Sequence, residues 1–330
     1  MTEHNNKNLL FSIIIPVKNK NDYLIENINN CLNLSYPNYE ILIFPDNYFN
    51  YNSPKVKIMP TGVIGPAEKR DLAIKYAEGD ILAFLDDDAY PDKQWLDHAA
   101  KYFNDDNNEI AAVCGPAVTP KSDGIIQQLS GEIYSSPIAC GNMIFRYKPV
   151  DKVFEVDDFP SVNFIIRKDS FKAAAGFGSK FWPGEDTKLC MEVIALGKKI
   201  IYDPKILVYH HRRGEFKKHL TQVFNYSMHR GYFVKKFQKN SAKFLYFIPS
   251  IFILFLASGA ILSLFYLYFL YFYLCVIFIY ILLLIINSII RFRENKNSVV
   301  SFLLMPGIFL THLFYGAGFL KGLFIRELKR

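Results

Sequence analysis

One long stretch of this 330-residue chain has no charge at all: from Phe244 to Ile290 there is no Asp, Glu, Lys, Arg or His. A helix needs roughly 20 apolar residues to cross a bilayer, so the run is too long for one span. It predicts two membrane helices joined by a tight turn near Phe265–Phe272, with Ser258 and Gly259 as a packing spot or kink in the first. Paired cysteines are missing too. Cys31, Cys114, Cys140, Cys190 and Cys275 are odd in number and scattered, which excludes a disulfide framework and fits reduced thiols in a cytoplasmic domain. No G-x-G-x-x-G follows the first apolar run and no G-x-x-x-x-G-K-[ST] occurs, so neither the dinucleotide fingerprint nor a P-loop is expected. The opening MTEHNNKNLL lacks a basic n-region, an apolar core and a cleavage site, and predicts no signal peptide.

Charge is present elsewhere, and its placement is informative. The formal net charge is +7, and much of the excess flanks apolar segments. Lys235, Lys236, Lys239 and Lys243 precede the uncharged run, and Arg291, Arg293 and Lys296 follow it. Lys321, Arg326, Lys329 and Arg330 close the chain. Basic flanks mark the cytoplasmic side of a membrane, and a hairpin puts the first two groups there together. A third apolar stretch, Val299 to Phe319, is interrupted by Pro306, Gly307, Gly316 and Gly318. It is expected to span, or to lie as a broken or in-plane helix. The basic residues after it argue against a clean crossing.

The expected organisation is therefore a cytoplasmic domain over 1–243, a transmembrane hairpin over 244–290, and a basic loop, third apolar segment and basic end over 291–330. The whole would be a multi-pass protein of the cell membrane. Membrane lipids are expected partners and nucleic acid is not.

The soluble part alternates strand and helix signals. LLFSIIIPV (Leu9–Val17) is a continuous apolar, β-branched run, as in a strand covered on both faces. A helical pattern follows over Asp22–Leu34, then a second buried strand ending at Pro45-Asp46. Next come a helix over Pro66–Ala77, a third strand in DILAFLDDD, and a helix from Pro91 to about Phe103. This order predicts an α/β fold with a doubly wound, mostly parallel sheet and helices on both faces. Ligands of such sheets bind beyond the carboxyl ends of the strands. Asp46 and the run Asp86, Asp87, Asp88 sit at such ends. Three adjacent carboxylates disfavour one another's ionisation, and a divalent cation removes that penalty. A solvated turn capping the next helix is the plainer reading.

FSIIIPVKN, YPNYEILIFPDN, KRDLAIKYAEGDILAFLDDDAYP, GEDTKLCMEVIALGKKIIYDP and VYHHRR, in that order, resemble the family 2 inverting glycosyltransferases of GT-A fold over about Phe11 to Gly231. The resemblance implies transfer of a sugar from a nucleotide-sugar donor, a UDP-sugar first, with Mg2+ or Mn2+. It places the DxD-type motif on Asp86, Asp87 and Asp88, with Asp86 near the nucleoside and Asp88, together with Asp86, holding the cation. Pro16, at the end of the first strand, Asp46, Lys69, Arg70, His210, Arg212 and Arg213 fall on or near donor-binding positions. Pro45 stands where a second acid is common. Asp186 falls on the family's catalytic base with Glu185 in support, although helix capping accounts for carboxylates there as well. Trp182 is a candidate for stacking on an acceptor sugar. Arg212, Arg213 and Arg230 suit a diphosphate, a lipid phosphate or an anionic lipid surface.

The reading is a membrane-bound enzyme that adds one sugar to a hydroxyl of a glycan or lipid-linked acceptor. A processive polysaccharide synthase would carry Gln-x-x-Arg-Trp, but here Gln222 is followed by Val-Phe-Asn-Tyr. A polyprenyl-phosphate glycosyltransferase needs no general base, against the strong Gly-Glu-Asp. A nucleotidyltransferase gives no reason for that motif. A non-catalytic membrane scaffold would have lost the acids first.

Overall fold

In a computed structural model of the protein, residues 9–104, 109–178 and 184–327 are described. The strands are β1 (Phe11–Pro16), β2 (Tyr39–Phe44), β3 (Val56–Ile58), β4 (Ile81–Leu85), β5 (Ala89–Pro91), β6 (Ile110–Cys114), β7 (Ala117–Val118), β8 (Phe154–Glu155), β9 (Asn163–Arg167), β10 (Lys199–Tyr202) and β11 (Val208–His210). The helices are α1 (Asp22–Leu32), α2 (Pro66–Leu72), α3 (Trp95–Phe103), α4 (Ile125–Tyr134), α5 (Pro137–Cys140), α6 (Lys168–Ala173), α7 (Glu185–Ala195), α8 (Phe216–Lys236), α9 (Gln238–Ser241), α10 (Ile248–Ser263), α11 (Leu267–Asn295) and α12 (Ser298–Phe324). They divide into two compact units, Met1–Val118 with Lys148–His211, and Thr119–Tyr147 with Arg212–Arg330.

The first unit is built on a sheet of order β3-β2-β1-β4-β9-β6-β10-β8. The pairs β1/β2, β1/β4, β2/β3 and β6/β10 are parallel, whereas β9 runs antiparallel between β4 and β6. Alternation along each strand sorts the two faces. Phe11, Ile13 and Ile15 pack with Leu24 and Ile28 of α1 and Trp95 and Phe103 of α3. On the other face Phe84 meets Phe171 and Phe177, with ring centroids 5.3 and 5.0 Å away. A small second sheet, β5-β11-β7, adjoins the strand ends that carry the acids.

The expected strands and helix order are present, with local differences. The helix expected from Pro91 begins instead at Trp95. Pro91 ends β5, paired to Val208, and the Asp92 side chain accepts from the Gln94 amide at 3.0 Å, forming a turn before the helix. The helix expected over Pro66–Ala77 is α2 followed by a tighter 3₁₀ turn, Ala73–Lys75.

Buried Asn163 ties the first unit together at the start of β9. Its amide donates to the carbonyls of Gly115 at 2.8 Å and Ile206 at 2.7 Å, and accepts from Trp95 Nε1 at 2.9 Å. Gly115 has no alternative here, because a Cβ would stand 1.9 Å from the Ile206 carbonyl oxygen.

In the second unit the uncharged run forms two helices, α10 and α11, with the turn at Leu264–Tyr266, the near edge of the expected range. The second continues past Ile290 through Arg291 and Arg293, until Lys296 turns left-handed at φ 57°. The third apolar stretch is one unbroken helix despite Pro306, capped by the Asn297 side chain on the Val300 amide. By length and composition α11 and α12 are long enough to cross a membrane; α10, with 16 residues, is shorter.

α12 packs against α8 through small residues. A Cβ on Gly318 would meet Ser227 Oγ at 2.1 Å, on Gly231 the Phe319 carbonyl at 2.2 Å, and on Gly322 the Met228 carbonyl at 2.0 Å. His219 Nε2 lies 3.2 Å from Thr311 Oγ1, and Lys235 Nζ donates to the carbonyls of Leu323 at 3.0 Å and Ile325 at 2.5 Å. The paired numbers rise together, so the two helices run parallel.

Asn163→Ala strands two carbonyls and an indole N–H in a closed interior, at about 1–3 kcal/mol for each group left unsatisfied. The expected result is a fall of several kcal/mol in stability, read as the denaturation midpoint of the full chain in detergent.

Candidate active site

The acids converge where the strands β2 and β4 end. β4 is apolar and fully buried, so Asp86 is the first residue at which a charge meets solvent. Three consecutive carboxylates then take three directions. Asp86 Oδ1 accepts from Arg70 Nη2 at 2.5 Å, and its backbone carbonyl from Asn27 Nδ2 at 2.8 Å. Asp87 turns away to Asn21 Nδ2 at 2.9 Å, the same asparagine that caps α1. Burial first, and Asp88 second, push the Asp87 carboxyl up to about 6. Asp88 Oδ1 lies 3.1 Å from His210 Nε2. One atom each of Asp86, Asp88 and His210 lie within 4.8 Å of one another. Two hard carboxylate oxygens and an imidazole fit a divalent cation such as Mg2+ or Mn2+.

His210 is held by its own strand. β11 pairs antiparallel with β5, so His210 lies opposite Ala89, and the next amide, His211, donates to the Asp88 carbonyl at 2.9 Å. His211 is the residue that sequence reasoning undervalued. It is buried, 3.0 Å from Glu26 Oε2 and stacked on Tyr23 at 4.4 Å. It clamps the loop after β4 to α1. The His-His doublet was its only signal, and that does not say which ring faces inward.

Lys69 and Arg70, on α2, turn towards the protein interior. Both are buried. Lys69 Nζ pairs with Asp46 at the end of β2 and donates to the Val17 carbonyl at 2.6 Å, one residue past Pro16, the last of β1. Arg70 Nη1 reaches Glu185 Oε1 at 3.4 Å while Nη2 holds Asp86. Burial alone would depress the Arg70 guanidinium. Asp86, Asp186 and Glu185 outweigh it and hold the group above its ordinary value.

Glu185 and Asp186 are the first two residues of α7, and Gly184 before them sits at φ 130°. The Gly184 amide donates to Glu185 Oε2 at 2.8 Å. Burial pushes the Glu185 carboxyl up, with Arg70 opposing. For Asp186, burial and then Glu185 push its carboxyl up to about 8, against Arg70 and hydrogen bonds from Ser161. Its Oδ1 is buried and accepts no hydrogen bond from the described residues. A buried carboxylate oxygen with a lone pair to spare, at the positive end of a helix, is suited to accept a proton from a bound molecule.

Arg212 and Arg213 belong to the second unit. Arg212 is buried, donates from Nε to Thr119 Oγ1 at 3.1 Å, and lies over the rings of Tyr134 and Tyr147; Arg213 is exposed. Trp182 lies outside the described residues.

Residues 12–173 match the model of glycosyl transferase family 2. Over 335 residues the chain is 26% identical to the dolichyl N-acetyl-alpha-D-glucosaminyl phosphate 3-beta-D-2,3-diacetamido-2,3-dideoxy-beta-D-glucuronosyltransferase of Methanococcus voltae, covering 94% of this chain and 96% of that protein. It is 28% identical over 153 residues to the pre-mycofactocin glycosyltransferase of Mycobacterium tuberculosis, covering 46% of this chain but only 31% of that relative. Among solved structures, the mannosyltransferase PcManGT from Pyrobaculum calidifontis, in complex with GDP-Man and Mn2+, aligns at a TM-score of 0.47 and 16% identity. It covers 67% of this chain and 62% of its own.

Asp88→Asn removes a charged ligand from the Asp86–Asp88–His210 group but keeps its shape. Calorimetric titration with Mn2+ is expected to give saturable binding to the full chain and a loss of at least tenfold in affinity in the variant, on the scale of removing one metal ligand or its support. Equal binding by both proteins would remove the metal assignment.

Proposed function

Because the chain is a glycosyltransferase of family 2 with the GT-A fold, acting on nucleotide sugars, we propose that it moves a single sugar onto a hydroxyl of a lipid-linked or glycan acceptor, with inversion. The observation that carries this reading is Asp186: a raised carboxyl, at the start of a helix, with one buried oxygen that accepts no hydrogen bond from the described residues. A hydroxyl is a poor nucleophile until its proton has somewhere to go, and a positioned base supplies about 10²–10⁴-fold. A phosphate acceptor, already anionic, would not need it. The relative from Methanococcus voltae, similar over nearly its whole length, carries in its name a 3-linked transfer to a dolichyl-phosphate-linked sugar.

In this reading Asp86, Asp88 and His210 hold the cation, which supplies neutralisation of charge on the departing nucleoside diphosphate. An imidazole beside two carboxylates favours Mn2+ over the all-oxygen preference of Mg2+. Asp46, fixed by Lys69 beside the ends of β1 and β2, faces the nucleoside. UDP-sugars are the first donors to test. Arg70 orients Asp86 and Glu185 together, and Glu185 raises the basicity of Asp186 through its charge. Asp186 takes the acceptor proton as the new glycosidic bond forms opposite the breaking one, which inverts the anomeric carbon.

The hairpin α10–α11 anchors the enzyme. At 1.5 Å per residue, α11 is about 43 Å long against a hydrocarbon core of about 30 Å. Tyr266, Tyr268 and Tyr271 at its tip suit the far interface, and Arg291 and Arg293 at its base the near one. α12 lies along the near surface instead. Crossing would carry α8 with it, and each of Lys217, Lys218, Arg230, Lys235 and Lys236 would cost about 2.5–3.5 kcal/mol at the bilayer centre.

Two measurements test this. In Asp186→Asn the transfer rate is expected to fall by about 10²–10⁴-fold with donor binding kept. The raised carboxyl sets the pH dependence: only its ionised form is a base, so wild-type kcat/KM is expected to climb towards about 8, a limb absent from the variant. A near-normal rate in the variant would favour a phosphate acceptor, and a retained anomeric configuration would defeat the mechanism. For topology, a tag after Arg330 is expected to resist protease added to intact cells, whereas one in the Leu264–Tyr266 turn is expected to be cleaved. Cleavage of the C-terminal tag would mean that α12 crosses.

A further inference from the structure

Beside Lys69 and Arg70, α2 sets a third consecutive side chain on a distant segment. Asp71 Oδ1 accepts from the Phe177 amide at 2.8 Å, and Oδ2 from the Gly178 amide at 3.1 Å. Two consecutive amides reach one carboxylate because the turn after α6 enters the left-handed region repeatedly. Ala175, Gly176 and Gly178 have φ of 55°, 64° and 72°. Gly176 is also fixed by close approach, since a Cβ there would stand 2.4 Å from Asp71 Oδ1. Burial pushes the Asp71 carboxyl up, against the two amides, Lys188 and Arg70.

The carbonyls of the same turn are held from α7. Lys188 Nζ, two residues past Asp186, donates to the Ala174 carbonyl at 3.1 Å and the Gly176 carbonyl at 2.9 Å. Within the turn, the Phe177 ring centre lies 5.5 Å from the Arg70 guanidinium carbon and 5.0 Å from the ring of Phe84 on β4. One turn therefore meets the helix of Arg70, the helix of Glu185 and Asp186, and the strand that leads to Asp86.

The direct link between α2 and α7 is weaker than this. Arg70 Nη1 to Glu185 Oε1, at 3.4 Å, is longer than the usual hydrogen-bond range of about 2.7–3.2 Å. A reacting constellation has to be held to within about 0.5 Å, and so long a contact does not set that spacing. The bonds through the turn are shorter, and each has an ionised partner, which makes them about twice as strong as neutral ones. A tie for the end of α6 alone would need the amide bonds to Asp71 but not the lysine from α7.

We infer that Asp71 is a positioning residue for the transfer step: with Lys188 it grips the turn Ala174–Gly178 from opposite sides and so fixes Arg70 against Glu185 and Asp186. The inference rests on the reading of Asp186 as the base. No bond forms or breaks at the turn. Asp186 faces Arg70 from α2, Glu185 from its own helix and Ser161 from the segment before β9. Arg70 holds the Asp186 carboxyl down, so a guanidinium that drifts away lets it rise, and the ionised base becomes scarcer at neutral pH. Loss of the Asp71 charge by itself would move that carboxyl the other way.

The test uses the full-length chain in detergent with Mn2+ and the nucleotide sugar that wild type hydrolyses fastest, water standing in for the acceptor. Released nucleoside diphosphate is followed against pH. Asp71→Ala and Lys188→Met are each expected to lower kcat at least tenfold while the donor KM stays within about twofold. In Asp71→Ala the rising limb of kcat is expected at higher pH than in wild type. Asp71→Asn, which keeps one acceptor oxygen, is expected to fall between. The double variant is expected to lose little more than the worse single one, because both residues hold one turn. Leu34→Ala opens a cavity in the core beyond the end of α1, before β2 begins, at the opposite ends of the strands from the acids. It is expected to lower the melting temperature and keep the wild-type kcat and limb. Asp71 variants with wild-type kcat and limb would overturn the inference. So would a loss confined to KM, a limb moved to lower pH, additive losses in the double variant, or the same fall in kcat in Leu34→Ala. If Asp71→Ala does not fold, Asp71→Asn and Lys188→Met carry the same comparisons. Failure of the base reading is distinct, and shows as wild-type hydrolysis by Asp186→Asn.

Discussion

One buried guanidinium holds the catalytic side of this protein together. Arg70 touches Asp86 with one nitrogen and, with the other, Glu185, which lies 115 positions further along the chain than Arg70. A buried cation is costly unless it is paired, and removing one partner of such a pair costs about 3–5 kcal/mol. Here the acids need Arg70 as much as it needs them. Without it Asp86, Glu185 and Asp186 would be three carboxyls in a shared interior, and the simplest relief would be protonation. The arrangement instead divides them. Asp86, ion-paired and open to solvent on one side, is fit to meet a cation; Asp186, without a direct bond to Arg70 and pushed up by burial and by Glu185, is fit to accept a proton.

A second buried pair, Lys69 with Asp46, repeats the device one residue earlier on the same short helix. Consecutive residues of a helix point about 100° apart, which lets α2 serve two strand ends at once. Capping by Glu68 on the Gly65 amide at 3.0 Å, rather than length, keeps it formed.

Much of this was legible in the sequence, for reasons of local chemistry. Strands covered on both faces read as unbroken apolar runs, so β1, β2 and β4 stand out, and acids directly after them mark the rim of the sheet. The inward turn of Lys69 and Arg70 was not legible. Long cationic side chains on a helix usually face water, and only the distant Asp46, Asp86 and Glu185 overrule that habit. The antiparallel β9 was equally hidden, because strand direction is a property of pairing and leaves no local pattern. Pro306 and its neighbouring glycines read as helix breakers, yet α12 is continuous. The glycines serve close approach to α4, α8 and α10, and a proline is tolerated where neighbouring helices support the freed backbone.

The place of β9 has a consequence for the order of assembly. β4 and β6 are close in sequence, yet each hydrogen-bonds to β9 and not to the other. As the chain leaves the ribosome, both therefore present an unsatisfied edge until residue 167 has emerged. Open edges are the places where chains pair wrongly with one another. The stretch from Thr119 to Tyr147 waits longer still, since the rest of its unit begins only at Arg212. Neither unit can close before the other has been partly made. On the membrane-bound reading proposed above, the apolar hairpin near the C-terminus would reach the bilayer on a chain that is still folding, and the bilayer would serve as a surface on which the last helices find their places.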